Sequence, residues 1–136
     1  LILNATTINT MNTDRDEHLK DADYFDVKKY PAMKFHADSV RENVAGSFYR
    51  YIAVGTLTAK DVVKQIEVPF NYLGESVYKD KEGKLKLDKE GKPYPAVYTF
   101  DGEFKINRVD YHIGEESMAL GEEVTISFSI ETRKKE

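Results

Sequence analysis

A two-residue alternation of apolar and polar side chains constrains this chain more than any other feature. It is cleanest where Val124, Ile126, Phe128 and Ile130 alternate with Thr125, Ser127, Ser129 and Glu131. Successive side chains of a strand point to opposite faces, so such a segment is a strand with one buried face. The same period recurs over residues 32–40, with Met33, Phe35 and Ala37 set against Lys34, His36 and Asp38. Over residues 47–58 both faces are partly apolar: Tyr49, Tyr51, Ala53, Gly55 and Leu57 share one, and Phe48, Arg50, Ile52, Val54 and Thr56 the other. Lys60-Asp61 then supplies a tight polar turn into a strand carrying Ile66, Val68, Phe70 and Tyr72, which predicts a long hairpin. Tyr98, Phe100, Phe104 and Ile106 mark another strand, in which Gly102 predicts a bulge or bend. Leu1–Ile8 reads as an opening strand.

Six antiparallel strands, each with an apolar face, must close on themselves or pair with a second sheet, because an open edge leaves backbone donors and acceptors unpaired. Bends at Gly55 and Gly102 favour closure into a barrel. The expected fold is therefore an all-β antiparallel barrel, and a closed barrel of about eight strands has room inside for one small ligand. The chain opens in a strand with no cap or turn before it, so the first strands of this single domain, residues 1–136, are expected to lie ahead of Leu1.

Only the connector Asp14–Pro31 argues for helix. Asp14 suits an N-cap, with Glu17 three residues on as a capping-box partner; Asp16 favours the positive helix end and Lys20 the last turn. A helix of about two turns follows. Tyr24 and Phe25 put two aromatics into the turn-like segment after it, and Pro31 forces Tyr30 into an extended conformation that can launch a strand. Aromatics in such a connector plug something. A second excursion, between Tyr78 and Tyr94, repeats DKEGK at 80–84 and 88–92 around Lys84-Leu85-Lys86-Leu87. It reads as a small exposed hairpin, either a solubilising loop or a lid or weak contact for an anionic surface.

Composition narrows the function classes. Charged residues make up 32% of the 136 and carry a net charge of -4 with both signs interspersed, and no basic run is flanked by stacking aromatics. Nucleic acid is not an expected partner. The absence of cysteine removes disulfides, zinc–cysteine sites and thiol catalysis. No apolar run approaches the roughly eighteen residues of a transmembrane segment. His18, His36 and His112 lack metal-ligand spacing, and the chain has no GxSxG elbow, phosphate loop or HExxH helix, so no enzyme or metal site is expected.

The ordered blocks of the chain resemble the YceI-like family, bacterial polyisoprenoid-binding proteins with a lipocalin-like barrel. The likeness rests on Ile8-Asn9-Thr10 leading into Asp14-Arg15-Asp16-Glu17-His18-Leu19, then Asp23-Tyr24-Phe25-Asp26, Tyr30-Pro31 and Phe35. It continues through Gly55-Thr56-Leu57-Thr58, Lys64, Val68-Pro69, Phe104, Ile106, Arg108, Asp110-Tyr111 and Ile113 to Leu120-Gly121-Glu122-Glu123-Val124. The sequence departs from that pattern at Ala59-Lys60-Asp61, at His112, where Gly is frequent, and in the long excursion from Asp80 to Lys92. The last two could reshape the barrel mouth.

The resemblance implies a non-catalytic protein, periplasmic or secreted, that binds and carries or buffers a polyisoprenoid such as a quinone or prenyl phosphate, with no other cofactor. Burial of one five-carbon unit then contributes about 3–4 kcal/mol before ordering costs. The implied apolar lining is Phe35, Tyr51, Ile66, Val68, Phe70, Tyr72, Tyr98, Phe100, Phe104, Ile106, Val124, Ile126 and Phe128; the same side chains can instead fill a closed core. Tyr24 and Phe25 are candidates for a gate at one barrel end. Arg15, His18 and Arg108 can meet a head group there, or be held in structural ion pairs by Asp14, Asp23 or Asp110. The alternative function is a stress-associated or structural barrel with a collapsed interior and a protein partner; a hydrolase or isomerase would need His18 or Arg15. Outward-facing Phe48, Ile52 and Val54 form an apolar stripe that predicts a homodimer.

Overall fold

The computed structural model describes residues 1–44 and 48–134. Six strands form one antiparallel sheet in chain order: β1 (Ile2–Asn4), β2 (Ala32–Glu42), β3 (Tyr51–Ala59), β4 (Val62–Ser76), β5 (Val97–Asn107) and β6 (Glu123–Arg133). The sheet curls into a half-barrel whose edges, β1 and β6, are not hydrogen-bonded to each other. The all-β antiparallel class and the single short α-helix are as expected. At one end lie the helix α1 (Thr13–Lys20), the β3–β4 turn and the loop from Arg108 to Glu122. The far ends of β2 and β3 and the 77–96 excursion stand at the other end, which no helix covers among the described residues.

The strand lengths follow the alternation, with corrections at their ends. β1 stops at Asn4, because Ala5–Thr7 turn into a short 3-10 helix capped by the Asn4 side chain. β3 starts at Tyr51 rather than 47; Phe48 lies in a bend ahead of it, and Ser47 falls outside the described residues. Lys60 and Asp61 both adopt positive φ, the geometry of a two-residue hairpin turn, and the β3–β4 pairing runs unbroken from Tyr51↔Phe70 to Ala59↔Val62.

Gly102 makes no bulge: its pairing with Phe70 and Phe128 is regular. It is small because a Cβ there would lie 2.5 Å from the Phe128 ring and 2.5 Å from the Pro69 carbonyl. The bulges fall elsewhere, between Ala37 and Ser39 in β2 and between Tyr72 and Gly74 in β4. A bulge adds one residue and so reverses which parity faces inward.

α1 is capped by Asn12 and not Asp14: the Asn12 Oδ1 accepts from the Arg15 N–H at 3.0 Å. Asp14 and Asp16 occupy the first turn, and Lys20 the last, beside Glu17 at 3.7 Å. A second 3-10 turn, Arg108–Tyr111, also lay outside the sequence expectation.

The outward stripe is not there. Ile52 is only 8% exposed and Val54 half-buried, which leaves Phe48 as its one exposed member. The Arg41–Glu67 hydrogen bond of 2.9 Å joins β2 to β4 across β3, where Arg41 pairs with Ile52 and Val54 with Glu67. A long basic side chain laid across a strand covers apolar surface with its methylenes. The homodimer expectation thus loses its premise.

Candidate functional site

The concave face divides into a filled part and an open part. Toward the closed end Leu57, Phe104, Ile106, Tyr111 and Ile113 pack together, all buried and none of them in the groove lining. Fully burying side chains of this size contributes about 1.5–3 kcal/mol each. Phe104 and Ile106 therefore belong to the core rather than to an open lining. Toward the rim the same face leaves an apolar groove of about 220 Å³. Phe35, Val68, Phe70, Phe100 and Phe128 line it, as the alternation implied.

Six further lining residues were not in the expected set: Leu1, Ala37, Val40, Ala53, Ile130 and Thr132. Ala37, Ala53 and Ile130 carried the signal, since each sits on the apolar face of its strand. Val40 did not, because the bulge at Asp38 reverses the parity of β2 beyond Ala37. Tyr51 tilts against Phe70 at 5.5 Å and Tyr72 against Phe100 at 5.3 Å, so both flank the groove without lining it. Ile66 is half-buried against the core, and Tyr98 is half-buried on β5 outside the groove lining.

Val124 and Ile126 point into the seam between the β1 side and β6. There two clefts of about 260 and 380 Å³ share Ile8, Phe25, Val124 and Thr125. The larger brings Arg15, Phe25 and Arg108 into one lining. His18 meets the Tyr24 ring edge-on at 4.9 Å, and the Arg108 guanidinium lies 5.8 Å from the centre of the same ring. The five expected end residues are thus gathered at the closed end.

Their bonding revises the roles expected of them. Arg108 is 1% exposed, and its guanidinium donates to four carbonyl oxygens, those of Ile113, Glu115, Leu120 and Gly121, at 2.9–3.1 Å. A planar fork of donors suits several acceptors at once. Arg108 therefore ties down the 113–121 loop, leaving little donor capacity for a head group. Arg15 donates to the Thr10 hydroxyl and carbonyl. Neither arginine is held by Asp14, Asp23 or Asp110 among the described ion pairs. Phe25 is buried in the core cluster, and Tyr24 is half-buried above Arg108.

Two residues that depart from the family pattern meet here. The Lys60 ammonium donates to the Tyr24 carbonyl at 2.7 Å and to the His112 carbonyl at 2.9 Å. His112 has φ of 57°, the left-handed region, which explains why glycine suits that position. It sits at the closed end and leaves the open rim unaltered.

The electrostatics add two directions. The Thr10 hydroxyl bond to Asp16 holds that carboxyl below its usual range, and burial, followed by the charge of Asp110, pushes the Tyr111 phenol up. Among the described residues, no cluster of three or more His, Cys, Asp or Glu could hold a metal ion, and no helix is long and apolar enough to cross a membrane. The arrangement offers burial of a slim apolar group.

Comparison with known proteins agrees with this geometry. The profile of a family described as YceI-like domain matches residues 1–132. A UPF0312 protein of Yersinia enterocolitica is 25% identical over 131 residues, covering 96% of this chain and 59% of its own length. Protein YceI of Escherichia coli is 27% identical over 129 residues, with 95% and 59% covered. The chain thus spans about three-fifths of the curated relatives it matches. Among solved structures, the Campylobacter jejuni YCEI protein superposes with a TM-score of 0.67 at 27% identity, covering 99% of this chain and 71% of that one. Burkholderia cenocepacia BcnA, at 20% identity and a TM-score of 0.67, shares the fold.

Proposed function

Because the chain belongs to the YceI-like domain family, we propose that it binds a polyisoprenoid lipid, a quinone or a prenyl phosphate, and carries or buffers it without transforming it. The observation that carries this reading is the groove, in which Thr132 is the one residue with a polar side chain among eleven lining residues. At about 220 Å³ the groove is smaller than the roughly 300–1,000 Å³ usual for small-molecule sites. It suits a slim aliphatic chain better than a bulky ring system. Two buried prenyl units contribute about 6–8 kcal/mol, before association and ordering costs. The compartment that goes with this reading is the periplasm or the exterior of a bacterial cell.

Native mass spectrometry of gently purified protein, with and without added quinone, tests the proposal. Reproducible extra mass matching a prenyl lipid supports it. A clean apo mass with no uptake of quinone refutes it and leaves a structural barrel with a protein partner as the better account.

A further inference from the structure

The excursion between β4 and β5 has more order than a solubilising loop needs. Its two DKEG segments fold as matching tight turns rather than as one hairpin: the carboxylates of Asp80 and Asp88 each accept two backbone N–H groups of their own turn. Gly83 and Gly91 close those turns with φ of 82° and 79°. The segment between the turns is bridged on both sides, Leu85 to Lys79 and Leu87 to Pro93. Directly paired residues share a face, so Leu85, Leu87, Pro93 and Lys79 lie together on one side of this lobe. The other side carries Tyr78 and Tyr94, in ring contact at 5.8 Å, with the Arg133 guanidinium of β6 lying over Tyr78. The tyrosine side is thus tied to the barrel, and the leucine side, with Leu85 and Leu87 48% and 52% exposed, faces away from it.

Charge and position specify a partner. Between Lys79 and Lys92 six lysines stand against four acids, in a chain whose net charge is -4. Two of those acids turn their carboxylates inward, onto backbone N–H groups. The lobe stands on the rim where the groove ends at Val40, Ile130 and Thr132, and the same rim carries Val44 and Phe48, 89% and 80% exposed. Lys84 and Lys86 alternate with the leucines and so belong to the tyrosine side, and Lys92 is paired with Glu90 at 3.4 Å. Lys79 on the leucine face, with Lys81 and Lys89 in the turns beside it, flanks the exposed leucines, and this edge is complementary to the headgroup layer of an anionic bilayer.

We infer that the 77–96 lobe docks the open rim of this protein onto an anionic phospholipid bilayer, placing the mouth of the groove at the membrane surface. The inference rests on the lipid-carrying reading for its purpose, though not for its test. Cosedimentation with phosphatidylcholine vesicles, with and without phosphatidylglycerol, measures docking; quinone uptake from detergent micelles, run in parallel, measures the groove. Binding is expected only to the anionic vesicles at roughly 0.1 M salt, with loss at about 1 M, where the screening length falls to about 3 Å. Lys81→Glu with Lys89→Glu weakens partitioning about 25-fold or more, at roughly fivefold per lysine removed. Leu85→Ser with Leu87→Ser weakens it about tenfold, from the lost apolar contact. Both leave micellar quinone uptake intact. Lys34→Glu with Lys64→Glu makes the same charge change at the closed end and leaves docking unchanged. Failure to sediment with anionic vesicles, equal binding to neutral ones, or an equal effect of the closed-end pair overturns the docking; loss of quinone uptake with docking intact overturns only the lipid-carrying reading.

Discussion

Replacement of Arg108 separates a scaffold from a ligand-contacting residue. Arg108→Met keeps most of the buried stem but removes every donor to the carbonyls of Ile113, Glu115, Leu120 and Gly121. Each carbonyl stranded without water costs about 1–3 kcal/mol, so four would cost about 4–12. Glu115 and Gly121 are exposed, and Leu120 half-exposed, so their carbonyls can recover water; Ile113, fully buried, cannot. The expected loss is therefore about 3–5 kcal/mol: about 1–3 from the stranded Ile113 carbonyl and the rest from three lost hydrogen bonds at about 0.5–1.5 each. At roughly 2.1 cal/mol/K per residue, the unfolding entropy of 136 residues is about 0.29 kcal/mol/K, so the melting temperature should fall by about 10–17 °C. Amides of the 112–122 loop should exchange faster before the strands do. Arg108→Lys keeps the charge but not the fork, and should fall between the two. Thermal unfolding monitored by circular dichroism, alongside quinone uptake, decides the matter. A melting shift under about 3 °C with abolished uptake would refute the scaffold account and return Arg108 to a head-group role.

Tyr111 carries a buried hydroxyl with no hydrogen-bond partner among the described residues, so Tyr111→Phe should be neutral or stabilise by up to about 1–2 kcal/mol in urea titration. The raised phenol of Tyr111 also gives stability that is complete below its unfolded value near 10 and lost as pH rises through the folded value; the phenylalanine variant should flatten that alkaline loss. The lowered Asp16 carboxyl acts at the opposite end of the scale: its contribution is present above the unfolded value near 4 and lost as pH falls through the folded one, and Thr10→Val should shrink that acid step in a pH series of melts. Gly102→Ala should cost about 1–3 kcal/mol through overpacking, with the Phe128 ring yielding and the Pro69 carbonyl resisting; an unchanged melting curve would mean that the β4–β6 spacing is softer than it looks.

Much of the architecture was legible because alternation is local. The six strands, the Lys60-Asp61 turn, the two-turn helix and the aromatic face of the groove follow from side-chain type at a fixed spacing, and the pairing of β3 with β4 follows from the two-residue turn between them. Less of the site was. Five of the thirteen expected lining residues border the groove, whereas Phe104 and Ile106 are sealed in the core and Val124 and Ile126 line the seam. The structure places Arg15, His18, Tyr24, Phe25 and Arg108 together at the closed end, and the two arginines bond to backbone carbonyls and the Thr10 hydroxyl rather than to carboxylates, because carboxylates can be found in a sequence and carbonyl acceptors cannot.

The sequence by itself determined that this is a curled antiparallel sheet with one apolar face, closed at one end by a capped connector, since those features depend on residue type and short-range spacing. Only the tertiary structure decided which apolar residues stay open. A bulge at Asp38 brings Val40 inward, the Arg41–Glu67 pair laid across β3 accompanies the burial of Ile52, and four backbone carbonyls occupy Arg108. Each of these depends on strand register or on main-chain atoms common to every residue, and neither leaves a mark in the order of side chains.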